Sequence, residues 1–444
     1  MEHDDRAALA AEAVVYGFPL VFDLQEVDRF TRTGIGEVPA TPFNRFGHAS
    51  TLAGPEARFV SINNDTVYSI AQLDLSAGPV RLEVPDTAGR YYVLQFVDAW
   101  TNNFAYVGHR ATGTRAGSFL LAPPGDAEHA PDQGPVIRFP TTVASIVGRW
   151  AVDGEDDLPA VQALQAGLTL TPLGGGGGRG LPAPDPSVPE ELRFFEQLRV
   201  WMRAFPPALR DLDHQRRFGP LGLLEPASPY GEPDPGLAAA LRAGLEQGRE
   251  GLEQALTHSP APRQHGWSLS YHVFDYNLDF FETGALDDPE WKTKAEPRDR
   301  YLLRAAAARG GLWGNHGYEA AYAMVYEDAD GEQLRGDRRY RLRFDRTPPV
   351  GAFWSVTMYD TPDFYLVANP IDRYSIGDRT PGLHTAEDGS LTIVLQHDEP
   401  SDEAERANWL PTPAGDFRPI LRMYEPQPPL FDGSYALPPI TRRP

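Results

Sequence analysis

The sequence predicts a mainly β protein with helices: two β-sandwich or jelly-roll-like domains joined by a helical connector, with further helices at the N-terminus. Three observations carry this expectation. From Phe59 the side chains take a period of two, with Val67, Ser69, Ala71 and Leu73 alternating with Tyr68, Ile70 and Gln72. The same period returns at Ala320 and runs to Pro426, where Phe353, Ser355, Thr357 and Tyr359 alternate with Trp354, Val356, Met358 and Asp360. Between these regions, residues 190–205 and 237–256 place apolar groups at helical spacing. At 444 residues the chain exceeds one ordinary core.

Taken in order, Asp4 and Asp5 open a helix whose apolar face includes Leu9, Ala13 and Tyr16, acidic residues being favoured at the positive end of the helix dipole. Gly17 and Pro19 are expected to stop it, with a second helix over residues 20–30. Strands follow over residues 67–73, 80–84, 91–97, 119–121, 136–139 and 143–147, divided by Gly and Pro. A helix is expected over residues 156–167. Residues 172–186 are rich in Gly and Pro and read as a flexible, exposed linker; no strand–Gly–Lys–Ser/Thr pattern surrounds them, so they are no phosphate loop. After a helix over residues 298–309 the strands resume, and Asp388 and Gly389 turn the chain into the apolar run 391–395. The expected units are residues 1–150 (N-terminal helices and first β domain), 151–319 (connector) and 320–444 (C-terminal β-sandwich).

Composition narrows the function. A net charge of −22 repels nucleic-acid phosphates and anionic lipid, so neither nucleic acid nor membrane is an expected partner. With no cysteine, zinc ribbons, iron–sulfur clusters and thiol nucleophiles are excluded. The acidic N-terminus lacks a basic leader pattern, which points to a cytoplasmic protein. No HExxH, GxSxG or GxGxxG pattern occurs in a fitting context, so neither a cofactor nor a resident metal is expected. The oxygens of Asn63, Asn64, Asp65 and Thr66 would suit Ca²⁺, but they lack EF-hand spacing and read first as a turn.

Candidate site residues cluster at strand ends, where a rigid sheet can hold polar groups at a pocket mouth. Asp98 follows the apolar run 91–97 and is the candidate base, with Tyr68 or Tyr359 as candidate acid. Arg90 is the candidate anion anchor. Tyr91, Thr101, Asn102, Asn103, Asn63 and Arg373 are candidate ligand contacts. Each has a structural alternative: Asp98 and the asparagines can cap a turn, and the aromatics can be sandwich core.

Two sets of residues resemble known bacterial families. Asn63, Asp65, Thr66, Tyr68, Ser69, Asp74, Gly78, Arg90, Tyr91, Gln95, Asp98, Thr101 and Asn102 follow the pattern of domain of unknown function 1254. The strand pattern of residues 350–426, with Asn408, Trp409, Leu410 and Pro411, resembles domain of unknown function 1214. The resemblance implies two β domains bridged by helices, and a homo-oligomer, dimer or tetramer. It names no reaction. The residues favour a cofactor-independent enzyme acting on a small polar or aromatic metabolite by general acid–base chemistry, whether hydrolysis, elimination or isomerisation. The alternatives are a non-catalytic β-sandwich protein that binds a carbohydrate or other small molecule, and a purely structural oligomer.

Overall fold

The computed structural model describes residues 3–125, 134–257, 263–269, 271, 282 and 300–443. Four β-sheets and eight α-helices make up the described chain, which is mainly β. The first sheet runs in the order β1 (Arg45–His48), β2 (Thr66–Asp74), β8 (Val143–Ala151), β4 (Tyr92–Asp98) and β5 (Asn103–Gly108). The second consists of β7 (Val136–Arg138), β6 (Gly117–Ala122), β3 (Val80–Val84) and β9 (Thr169–Pro172). The third has the order β10 (Arg263–Gln264), β11 (Trp267–Leu269), β12 (Ala320–Met324), β18 (Phe417–Tyr424), β14 (Trp354–Asp360) and β15 (Ser375–Gly377). The fourth has β17 (Trp409–Pro411), β16 (Leu391–Gln396), β13 (Tyr340–Phe344) and β19 (Ile440–Arg442). Pairing is antiparallel except for β6 with β7 and β16 with β17.

Alternation along the strands explains how the third sheet serves two purposes. On β18, Leu421 and Met423 join Ala321 and Ala323 of β12 and Trp354 and Val356 of β14 in a core shared with Leu342 of β13 and Ile393 and Leu395 of β16. The intervening residues Arg418, Ile420 and Arg422 point to the opposite face, because successive strand side chains alternate. That face meets the first region of the chain. The largest buried cluster runs from the N-terminal helix through the first two sheets to Tyr359, Phe364 and Ile420.

The helices are α1 (His3–Thr33), α2 (Leu158–Gln165), α3 (Arg193–Ala204), α4 (Leu212–Arg216), α5 (Pro235–Thr257), α6 (Arg300–Gly311), α7 (Glu403–Ala407) and α8 (Pro428–Phe431). The expected break at Gly17 and Pro19 is absent: α1 is one helix with Pro19 inside it. Tertiary packing overrides the proline. Gly17 leaves room for Leu198 of α3, which an added Cβ would meet at 2.4 Å. On α5, Gly244 and Gly248 let that helix approach α1 so closely that a Cβ at Gly244 would lie 2.3 Å from Ala10 Cβ. By length and composition α1 is apolar enough to cross a membrane, but here Ala10, Ala13, Tyr16, Leu20 and Leu24 are core residues.

Residues 172–186 are mostly exposed, yet they are anchored. Arg179 N–H donates to Ser76 Oγ (2.9 Å) and Gly180 N–H to Asp74 Oδ2 (2.6 Å), while Trp201 Nε1 donates to Pro182 O (3.0 Å). The strand before them, β9, pairs with β3, which the sequence pattern did not indicate.

Candidate functional site: a cavity walled by three arginines

Between the facing surfaces of the first and third sheets lies a cavity of about 150 Å³. Tyr68 and Ile70 of β2 and Val147 and Arg149 of β8 form one wall; Tyr322 and Met324 of β12 with Arg418, Ile420 and Arg422 of β18 form the other. Strand register makes each wall. Tyr68 pairs with Arg149 and Tyr322 with Arg422, so each arginine stands beside a phenol on its own sheet. The C-terminal turns of α6 and residues 59–63 close the sides, together with the buried Ile35 and Val38 and the exposed Glu37.

The three arginines are buried, with exposures of 5% for Arg149, 0% for Arg418 and 3% for Arg422. Neutral groups hold them. Arg149 donates through Nη1 to Gln95 Oε1 (2.7 Å) and Asn315 Oδ1 (3.3 Å), and through Nη2 to Trp313 O (2.7 Å). Arg418 donates through Nη1 to Tyr326 Oη (2.9 Å) and through Nη2 to Ser61 Oγ (2.5 Å), and its guanidinium stacks 3.9 Å from the Phe364 ring centre. Its Nε is buried without a hydrogen-bond acceptor. Arg422 donates through Nη1 to Thr357 Oγ1 (3.0 Å) and through Nη2 to Ser61 O (2.6 Å). Among the described residues no carboxylate lies within ion-pairing distance of any of the three. Burial opposes the charges of Arg149 and Arg422, but neighbouring phenols hold both pKa values above the ordinary arginine value, with Asp65 also acting on Arg422.

Ser61 joins Arg418 to Arg422 through its hydroxyl and its carbonyl, and it adopts a left-handed backbone with φ of 51°. Its N–H donates to Phe364 O (2.9 Å) and its hydroxyl to Gly310 O (2.7 Å). A serine in that conformation carries strain that its surroundings must over-determine, as these bonds do.

The residues singled out in the sequence are placed as follows. Tyr68 is on the cavity wall, and Asn63 lines it too. Asn63 also caps its own turn, donating to Thr66 Oγ1 (2.7 Å) and to Tyr424 Oη (3.0 Å). Tyr359 is fully buried behind the wall, its hydroxyl donating to Ile62 O, and burial pushes its pKa up to about 12. Asn103 supports the site indirectly: its Oδ1 accepts from Gln95 Nε2 (2.9 Å), and Gln95 in turn receives Arg149.

Asp98 does not line the cavity. It pairs with Ala144, five residues along β8 from Arg149, or about 16 Å at strand spacing. Its Oδ1 accepts the backbone N–H groups of Trp100 (2.9 Å) and Asn102 (2.9 Å), the geometry of a turn cap, and burial raises its pKa to about 7. Thr101 occupies the left-handed position of that turn, with φ of 65°. Arg90 is engaged by Asp157 in a two-pronged ion pair (2.5 and 2.6 Å), away from the cavity wall. Tyr91 donates to the buried Glu319 Oε1 (2.6 Å), and Arg373 to the carbonyls of Ala407 (2.9 Å) and Trp409 (3.0 Å). Among the described residues no group of three His, Asp or Glu side chains could hold a metal ion.

None of the three arginines is among the candidate site residues read from the sequence. A signal existed: Arg418 and Arg422 are four apart on one strand and so share a face, and Arg149 interrupts an apolar strand. No turn residue marks them as functional.

Residues 43–172 match the family described as "Protein of unknown function (DUF1254)", and residues 319–428 match "Protein of unknown function (DUF1214)". The VPA0106 protein from Vibrio parahaemolyticus shares the fold, with a TM-score of 0.70 at 23% identity over 99% of this chain and 100% of that one. An uncharacterised protein from Burkholderia cenocepacia aligns over 99% of this chain and 95% of its own at 12% identity, with a TM-score of 0.45. No curated protein matches the chain. The chain therefore belongs to the family that carries a DUF1254 region ahead of a DUF1214 region.

Proposed function

We propose that this protein binds a small organic anion in the cavity, held between two sandwich-like β units that face one another across it. One observation carries the reading: three buried guanidiniums share one cavity with no ion-paired carboxylate among the described residues. Isolated buried charge is costly, and proteins retain it where a partner, metal or ligand compensates. The local field is positive within a chain of net charge −22, so it is local arginine placement that favours an anion.

Acid–base chemistry on the bound anion is the second reading, favoured by the position of Tyr68. Its ring lies 5.5 Å from the Arg149 guanidinium on the cavity wall, where its hydroxyl can give a proton to a ligand held by that cation.

Thermal melting with a panel of small carboxylates, sulfonates and their neutral analogues tests the binding reading. Anions should raise the melting temperature of the native protein, and Arg422→Gln should abolish the rise. A panel without any stabilising anion would count against it. Tyr68→Phe separates the two readings: a binding protein keeps its affinity, whereas an enzyme keeps affinity and loses turnover.

A further inference from the structure

The cavity also restricts the class of anion, an inference that rests on the binding reading above. We infer that the ligand is a monocarboxylate whose apolar body is about the size of one benzene ring or a short alkyl chain, with its carboxylate among Arg149, Arg418 and Arg422.

Charge sets the head group. Three guanidiniums are opposed by Asp65, which acts on Arg422, by Glu319, which acts on Arg149, both from beyond ion-pairing distance, and by the C-terminal end of α6. A helix C-terminus carries about half a negative charge, and burial leaves Glu319 only partly ionised near pH 7, so about one positive charge remains for a ligand. One carboxylate meets that surplus, and its two oxygens match the planar fork of a guanidinium.

Helix polarity argues against phosphate. Phosphate sites commonly use backbone N–H groups at a helix N-terminus or in a glycine-rich loop. Here the carbonyl end of α6 lies at the arginines: Gly310 O accepts from Ser61 and, just beyond the helix, Trp313 O accepts from Arg149 and Gly314 O from Gln95 and Asn103. Those oxygens repel a compact dianion.

The rest of the wall selects the body. Ile35, Val38, Ile70, Leu303, Ala307 and Leu312 offer apolar surface, and among the described residues the cavity lining beyond the three arginines holds no further cation: Thr51, Asn63 and Ser268 are uncharged and Glu37 is negative. An apolar cavity of about 150 Å³ accommodates benzene in another protein, which sets the scale for the volume here.

Isothermal titration of the full chain with benzoate, hexanoate, benzyl alcohol and inorganic phosphate, at constant ionic strength, tests this. At least one of the two carboxylates should bind; benzyl alcohol should be weaker by about tenfold or more because it loses the charge-assisted hydrogen bonds, and phosphate by about tenfold or more because it lacks the apolar body and meets the carbonyl oxygens. Phosphate binding as tightly as the carboxylates would overturn the carboxylate inference and leave the anion reading standing. Benzyl alcohol binding as tightly as benzoate would overturn both. Failure of every anion to bind would overturn the anion reading itself. Ala307→Phe fills the apolar side and leaves the arginines in place. With its fold confirmed by circular dichroism, it should weaken the bound carboxylate by about tenfold; unchanged affinity would overturn the assigned position of the body.

Discussion

Replacing Glu319 by glutamine should stabilise the protein markedly at pH 8.5 and by less than half as much at pH 5.5. Glu319 is 1% exposed and accepts the Tyr91 hydroxyl at 2.6 Å. Burial raises its pKa from the ordinary 4.5 to about 7; Glu425 adds to the rise, while the Tyr91 hydrogen bond, Arg110 and Arg149 oppose it. The folded value exceeds the unfolded one, so the stability linked to this carboxyl is fully present below about pH 4.5 and is lost as pH rises through about 7. At about 1.4 kcal/mol per pKa unit, the ionising carboxyl costs the fold about 3–4 kcal/mol at pH 8.5 and about 1–2 kcal/mol at pH 5.5. Glutamine cannot ionise, and its carbonyl oxygen still accepts from Tyr91. Urea unfolding of both proteins at the two pH values measures the difference. A gap that is the same at both, or a variant less stable at pH 8.5, would show that ionisation of Glu319 does not weaken the fold.

Other changes probe the fold and the reassigned residues. Asp98→Ala leaves the N–H groups of Trp100 and Asn102 without their acceptor and should cost roughly 1–3 kcal/mol in urea unfolding, whereas Asp98→Asn should leave ligand affinity unchanged in titration calorimetry. Gly244→Val drives a side chain into Ala10 and should destabilise by roughly 1–3 kcal/mol or more by thermal melting. In the exposed segment, Gly174→Ala would place a Cβ 1.9 Å from Ala77 O and should lower the melting temperature, while Gly176→Ala, with open space around it, should stay within about 0.5 kcal/mol of the parent.

The strands were legible because a period of two marks both kinds of strand: β3 and β13 bury every second residue, while β14 and β18 carry large side chains both ways, and both ways they are covered. The helices of the connector were legible for the same reason at a different period. What sequence spacing does not report is close approach. Pro19 reads as a helix end until Gly17 is seen against Leu198, and the glycine run reads as a free linker until Gly174 and Gly178 are seen against Ala77 and Asp74. The candidate site was legible only in part. Tyr68 and Asn63 reach the cavity, but Asp98 and Arg90 stood out in sequence through local features, a turn and a neighbouring Tyr-Tyr pair, that serve the fold. Arg149, Arg418 and Arg422 come from two sheets about 270 residues apart in sequence, and no local pattern joins them.

A crystal structure of the protein with benzoate would show whether the three arginines hold a carboxylate. The carboxylate should lie inside the cavity, with an oxygen about 3 Å from a guanidinium nitrogen of Arg149, Arg418 or Arg422 and the ring toward Ala307 and Leu312. Benzoate that binds elsewhere on the protein, with the cavity left unoccupied, would contradict this placement.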